Sequence, residues 1–261
     1  MSKTSPFDGF RFAFGTLTVL PVGVTRWDRE AARRGMMVAP TVGVVVGGCA
    51  GGLGLLLLFL GAGPLLAAVG SVAVPAVLTR GLHLDGLADT ADGLGSGKPA
   101  EDALRIMKQS DIGPFGVLAL VFVLLAQVAA LAQLYGDSWG RGVAAAIVSG
   151  IVARLALTWA ARVGVPAARP EGLGAAVAGV VPVGGAVAVT VSNGVISVAF
   201  GPFFGGRGYV HVVVAVVVAL VVAELLLRRC RRRFGGVTGD VFGGLAETAA
   251  TAVLVVLSVG G

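Results

Sequence analysis

Residues 80–95 read RGLHLDGLADTADGLG and place three carboxylates, Asp85, Asp89 and Asp92, at i, i+4 and i+7. On a helix that spacing puts all three on one face. Ionised side by side they repel one another, and a cation relieves the repulsion. Every donor in the set is oxygen, so the ion expected is Mg²⁺ or Mn²⁺ rather than zinc. Mg²⁺ commonly takes one or two carboxylates and completes its shell with substrate phosphates, which makes a phosphorylated substrate the natural complement. The plain alternative is a hydrated acidic loop. Two features speak for a site: Gly81, Gly86 and Gly93 allow close backbone approach, and a second acidic element, GGVTGDVFGGLAETA, lies far downstream at 235–249. There Asp240 stands at the mouth of the last apolar run, and Glu247 about two helical turns further in. An ionisable residue inside a membrane segment is a functional candidate by default. The competing readings are a helix cap for Asp240 and a salt bridge to Arg154 for Glu247.

Cations that could meet a phosphate are Lys108 in MKQSDIGPFG, Arg154 in VARLALTWAAR and Arg169 in ARPEGLG. For Lys108 and Arg169, anchoring at a membrane surface is an equal alternative. His83 is a candidate acid, base or hydrogen-bond donor, or else a packing residue at the interface. Glu224 stands four residues before Arg228, the spacing of a routine helical ion pair.

The elements that must hold these groups are written for lipid. Of 261 residues, 56% are hydrophobic and only 13% charged, against about a quarter charged in ordinary soluble domains; the mean hydropathy is +0.92. Several apolar runs reach the roughly 20 residues that a spanning helix needs. Runs such as VVVAVVVAL do not alternate as barrel strands do. The fold expected is therefore an all-α polytopic membrane bundle of about seven spans: 37–60, 62–79, 112–134, 142–163, 174–200, 209–227 and 241–260. Residues 1–36 form a cytoplasmic N-terminal segment, and 37–261 the transmembrane catalytic domain. Within the former, Phe7, Phe10, Phe14 and Leu17 share one face of an interfacial helix ending at Pro21.

Charge sets the orientation. With the N-terminus in the cytoplasm, the inner segments 1–36, 80–111, 164–173 and 228–240, together with Arg162, carry 17 of the 20 Lys and Arg residues, as the positive-inside rule requires. An odd number of spans then puts the C-terminus outside. The same rule makes RRCRRR at 228–233 a patch for anionic lipid and not for nucleic acid. No cleaved leader is expected, because no short apolar segment with a cleavage site follows the basic start. Cys49 and Cys230, one mid-span and one in an inner loop, are not expected to pair. The 42 glycines lie largely in the spans, where they permit close helix contact, and an oligomer is compatible with the pattern.

GLHLDGLADTADG, then IMKQSDIGPFG, ARPEGLG and FGGVTGDVFGGLAE, together with GTLTVLPVG near the start, resemble in type and order the motifs of the cobalamin synthases, the adenosylcobinamide-GDP ribazoletransferase family. The chain departs from the family pattern at Arg105, Gln109, Asp111 and Ala250. The resemblance implies a Mg²⁺-dependent enzyme of the bacterial inner membrane with its active site on the cytoplasmic side. It would join α-ribazole or its 5′-phosphate to adenosylcobinamide-GDP, release GMP and form adenosylcobalamin or its 5′-phosphate. The roles expected are Asp85, Asp89, Asp92 and Asp240 on the metal and Asp85, Asp89, Asp92 and His83 in catalysis. Lys108, Arg154, Arg169, Glu171, Thr238 and Glu247 are expected to serve the substrates. A ribose 5′-hydroxyl would attack, with Asp92 or Asp89 taking its proton. Two rivals remain: an ion-coupled transporter, whose charges belong nearer the midplane, and an enzyme joining a CDP-linked lipid group to an alcohol. The clustering of charge at the inner interface favours an enzyme over the transporter.

Overall fold

Asp28 starts the longest helix: its Oδ1 accepts from the backbone N–H groups of Glu30 and Ala31, each at 3.0 Å, the usual satisfaction of first-turn donors. Glu30 then pairs with Arg33 and Arg34. In the computed structural model, which describes residues 5 and 7–259, this helix, α2, runs Arg29–Phe59. It follows α1 (Phe7–Leu17) and precedes α3 (Pro64–Leu78), α4 (Leu82–Gly95), α5 (Ala100–Ile106), α6 (Pro114–Asp137) and α7 (Trp139–Ala160). The rest comprises α8 (Leu173–Val177), α9 (Val183–Val198), a 3₁₀ turn at Gly201–Phe204, α10 (Gly208–Phe234) and α11 (Gly239–Ser258). The all-α expectation holds: among the described residues the β pairing consists of two isolated bridges, Arg162 with Val181 and Ala167 with Val237. Lys3 of the basic start, residue 260 of the last expected span and the C-terminal Gly261 lie outside the described residues.

Length and composition support fewer crossings than the seven expected. Five helices, α2, α6, α7, α10 and α11, are long and apolar enough to cross a membrane. The expected span 62–79 is α3, whose 15 residues reach about 22 Å at 1.5 Å each, short of a core about 30 Å thick. It bends by 88° into α4, so the pair contributes at most one broken crossing and a total of six. The bend is made by Arg80 and Gly81, consecutive residues in the left-handed region (φ 53° and 71°). The expected span 174–200 is interrupted as well. Helix α8 stops at Val177, Gly179 takes φ 68°, and Pro182 precedes the 16-residue α9. The boundary drawn at 36/37 falls inside α2, which continues through Pro40. Helix α1 ends at Leu17; it turns Phe12 and Leu17 inward to packing with α2 while Phe7 and Phe10 stay exposed.

Small residues let the helices approach. Helix α7 is buried on nearly every face, and α2 lies along it with Gly43 and Gly47 against Gly150 and Ala146; a Cβ on Gly47 would stand 2.6 Å from the Ala146 carbonyl oxygen. Helix α11 packs on α4, α6, α7 and α10. Outward, Leu118, Phe122 and Leu125 of α6 and Val210, Val217 and Val221 of α10 are exposed. An apolar belt of this kind suits lipid and not water.

Candidate active site

The aspartates do lie on a helix, α4, and their face becomes progressively buried along its length: Asp85 is exposed, Asp89 half-buried and Asp92 only 6% exposed. Asp92 has a separate task. Its Oδ2 accepts from the Gly113 N–H at 2.8 Å and its Oδ1 from the Gly116 N–H at 2.9 Å. It thus caps α6 from a different helix, at the end where the dipole favours negative charge. A Cβ at either glycine would stand 2.5 Å from that carboxylate. With both oxygens engaged in this cap, Asp92 is held against the start of α6, which sets it apart from Asp85 and Asp89.

Asp240 enters from the first turn of α11. Thr238 caps that helix, its Oγ1 accepting from Val241 N–H at 3.3 Å, and the same hydroxyl donates to Asp240 Oδ2 at 3.1 Å. Thr238, expected to bind substrate, therefore orients a carboxylate; it also borders one of the clefts described below. Arg169 Nη1 stands 3.9 Å from Asp240 Oδ2, and its Nη2 donates to the Leu104 carbonyl. Glycine makes the two acidic elements meet. A Cβ on Gly86 would lie 2.6 Å from the Asp240 carbonyl oxygen, and one on Gly243 3.0 Å from the His83 carbonyl oxygen. Burial, then the charges of Asp240, Asp85 and Asp92, push the Asp89 carboxyl up to about 7, against the opposing pull of Arg169. Asp85 and Asp240 also repel each other.

Two clefts flank Asp85. The larger, about 840 Å³, is bordered by Arg80, Asp85, Asp89, Lys108, Gln109 and Asp111. The smaller, about 260 Å³, is bordered by His83, Asp85, Arg169, Glu171, Thr238 and Asp240. Lys108 and Glu171, expected independently on the substrate side, form an exposed ion pair at 2.8 Å, and this contact holds the Glu171 carboxyl below its ordinary range. His83 is 3% exposed, and its Nε2 has no hydrogen-bond partner among the described residues. Burial, then the charge of Arg154, holds the imidazole well below its ordinary range.

Arg154 and Glu247 do not join this group. They border an interior cavity of about 50 Å³ together with Gln127 and Ser149, and neither borders a cleft beside Asp85. The salt bridge expected between them does not form among the described contacts. Glu247 Oε2 instead accepts from Gln127 Nε2 at 2.9 Å, and Arg154 Nε and Nη2 have no partner among the described residues. Sequence reasoning passed over Gln127, although an amide midway along the apolar α6 was a visible signal. It also missed Arg80, whose sequence context gave no sign of its left-handed backbone.

Among the described residues no three His, Cys, Asp or Glu side chains are grouped tightly enough to enclose a metal ion by themselves. The mutual repulsion of Asp85, Asp89 and Asp240 nevertheless fits a hard cation held by one or two carboxylates and completed by a substrate phosphate.

A bundle that presents an apolar belt to lipid and gathers carboxylates, an arginine and two clefts where α7 and α10 end and α6 and α11 begin is a polytopic membrane enzyme. The sequence profile of the cobalamin-5-phosphate synthases matches residues 9–258, and the chain belongs to that family. Similar proteins include an adenosylcobinamide-GDP ribazoletransferase of Frankia casuarinae, 42% identical over 95% of this chain and 93% of the relative. One from a Nocardioides species is 41% identical over 95% and 96%, and one from Brevibacillus brevis 32% identical over 96% and 97%. No solved structure matches the chain.

Proposed function

We propose that this chain is a membrane transferase of cobalamin synthesis that joins ribazole, free or as its phosphate, to adenosylcobinamide-GDP. The observation that carries the reading is the meeting of Asp85, Asp89 and Asp240 beside Arg169, between two clefts, in a chain matched over nearly its whole length by the family profile. The transporter alternative has no counterpart among the relatives, which are described as ribazoletransferases.

The reaction forms a bond between a ribose oxygen and the phosphorus nearest cobinamide and breaks the bond from that phosphorus to GMP. The 5′-hydroxyl assigned to the attack on sequence grounds does not fit the family description, cobalamin-5-phosphate synthase. A nucleoside that keeps a phosphate on C5 attacks through another ribose hydroxyl, and we assign the attack to a ring hydroxyl. Asp89 takes its proton, since Asp92 is committed to α6. Asp85 and Asp240 would hold Mg²⁺, which when bound neutralises the diphosphate and the departing GMP. Arg169 and Lys108 take the remaining phosphate charge. Phosphoryl transfer asks chiefly for such positioning and charge stabilisation.

The cytoplasmic face of the inner membrane is the side we assign to the site. The arginines that end α10 lie at the same end of the bundle, where Arg233 donates to the Lys98 carbonyl beyond α4, and such clusters mark the inner side. They also suit anionic lipid. The test is GMP release by purified protein given adenosylcobinamide-GDP and α-ribazole, with a Mg²⁺ titration. Turnover should require the ion, and Asp85→Asn and Asp240→Asn should raise the concentration giving half activity. Turnover undiminished by chelation refutes the cation.

A further inference from the structure

The two clefts beside Asp85 differ in character, and we infer that the smaller one is the seat of the ribazole nucleoside, reading its base by apolar walls. The inference rests on the proposed transferase reaction and adds to it which substrate lies where and what sets base preference.

The smaller cleft has a polar rim and an apolar floor. At the rim stand Asp85 and Glu171, both exposed, with the partly exposed Arg169 and Asp240. The floor is made by Met36, Leu157, Val177 and Phe242, all buried. They come from α2, α7, α8 and α11, so the floor is fixed by the bundle and not by a loop. A nucleoside with a flat, apolar bicyclic base has the matching polarity: ring into the floor, ribose hydroxyls at the rim carboxylates. At about 260 Å³ the space lies below the roughly 300–1,000 Å³ of pockets for drug-sized ligands, which excludes a nucleotide-activated corrinoid. The open cleft of about 840 Å³ on the other side, bordered by Arg80 and Lys108, takes the diphosphate end of that larger anionic substrate.

His83 adds its ring to the wall of this cleft; its Nε2 is closed off from solvent and has no partner among the described residues, so the ring meets the base by packing. The floor side chains Met36, Leu157, Val177 and Phe242 offer no hydrogen-bonding group to an exocyclic amine, so an adenine riboside would bury its amine unpaired. Because Asp85 borders both clefts, the two substrates meet there from opposite sides, as an in-line displacement needs.

Equilibrium dialysis of radiolabelled α-ribazole against the full-length protein in detergent reads the pocket without turnover. Kinetics with both substrates then reads its specificity. Wild type should prefer the benzimidazole riboside to the α-linked adenine riboside on the order of 100-fold in kcat/KM. Val177→Phe, which fills the floor, should weaken α-ribazole binding at least tenfold and leave KM for adenosylcobinamide-GDP unchanged. Met36→Ala, which enlarges the floor, should admit bulkier bases and reduce the preference, and it serves if Val177→Phe fails to fold. His83→Ala should weaken α-ribazole binding without altering the KM for the GDP substrate. Wild-type nucleoside affinity and base preference in Met36→Ala and His83→Ala overturn the assignment, as does an equal rise of both KM values. Nucleoside binding that responds to these variants in a protein that releases no GMP supports the pocket and overturns the proposed reaction instead.

Discussion

Asp92 looks, by type and spacing, like a third member of the acidic set, and replacing it separates capping from chemistry. In Asp92→Asn one amide oxygen can still accept from Gly113 or Gly116, but the amide –NH₂ meets the other N–H donor to donor. One charge-assisted bond, worth about 1.5–3 kcal/mol, is lost, along with part of a charge–dipole contribution of up to about 2 kcal/mol. The two overlap, so a loss of about 3 kcal/mol is expected. Asp85→Asn, at an exposed position among like charges, should change stability by no more than about 0.5 kcal/mol. The assay heats detergent-solubilised protein and measures the monodisperse fraction remaining, alongside GMP release at excess Mg²⁺. Asp92→Asn should melt well below wild type, yet retain measurable turnover in the cold with an unchanged Mg²⁺ requirement. Asp85→Asn should melt normally and turn over poorly. An Asp92→Asn protein as heat-resistant as wild type but inactive would return Asp92 to the reacting centre and refute the capping argument.

Two further outcomes test the packing. Gly86→Ala places a methyl group 2.6 Å from the Asp240 carbonyl oxygen, so α4 and α11 must part; about 1–3 kcal/mol of stability and most of the GMP release should be lost, while Gly184→Ala, with nothing within 4 Å of the new atom, should match wild type in both assays. Arg154→Met removes a buried guanidinium that makes no ion pair among the described contacts but lies in the field of the buried Glu247; leaving that carboxylate without the cation should lower thermal stability, by at most about 3–5 kcal/mol, and unchanged stability would show that the two charges do not support each other.

The helical membrane class was legible because apolar run length and charge asymmetry are properties of the chain alone. The number of crossings was less so. Pro182 and the glycine at 179 announced a break within 174–200, but hydropathy averaged over the run concealed it. The bend after α3 rests on left-handed φ at Arg80, which no residue type signals. In the site, the i, i+4, i+7 spacing brought Asp85 and Asp89 to one helix face, and the separate acidic element at 235–249 pointed to Asp240, whose backbone meets Gly86 of that helix. The spacing could not foresee that Asp92 would serve two N–H groups 21 and 24 residues away. Nor could it foresee that Gln127, 120 residues before Glu247, would occupy the carboxylate meant for Arg154. Both depend on which helices become neighbours.

The seam between α4 and α11 gives the enzyme a fixed datum. Because Gly86 and Gly243 bring main chain against main chain, the spacing between Asp85 and Asp240 is defined by peptide geometry and not by how side chains settle. Errors of tilt in the outer helices, from a thicker or thinner bilayer or from drift in their valine-rich faces, do not accumulate across that seam. Such disturbances reach the clefts, where substrates enter, before they reach the carboxylates. Tolerance to change should therefore rise steeply with distance from a contact only a few ångströms wide, leaving a large lipid-facing surface free to vary around a small part of the backbone that is not.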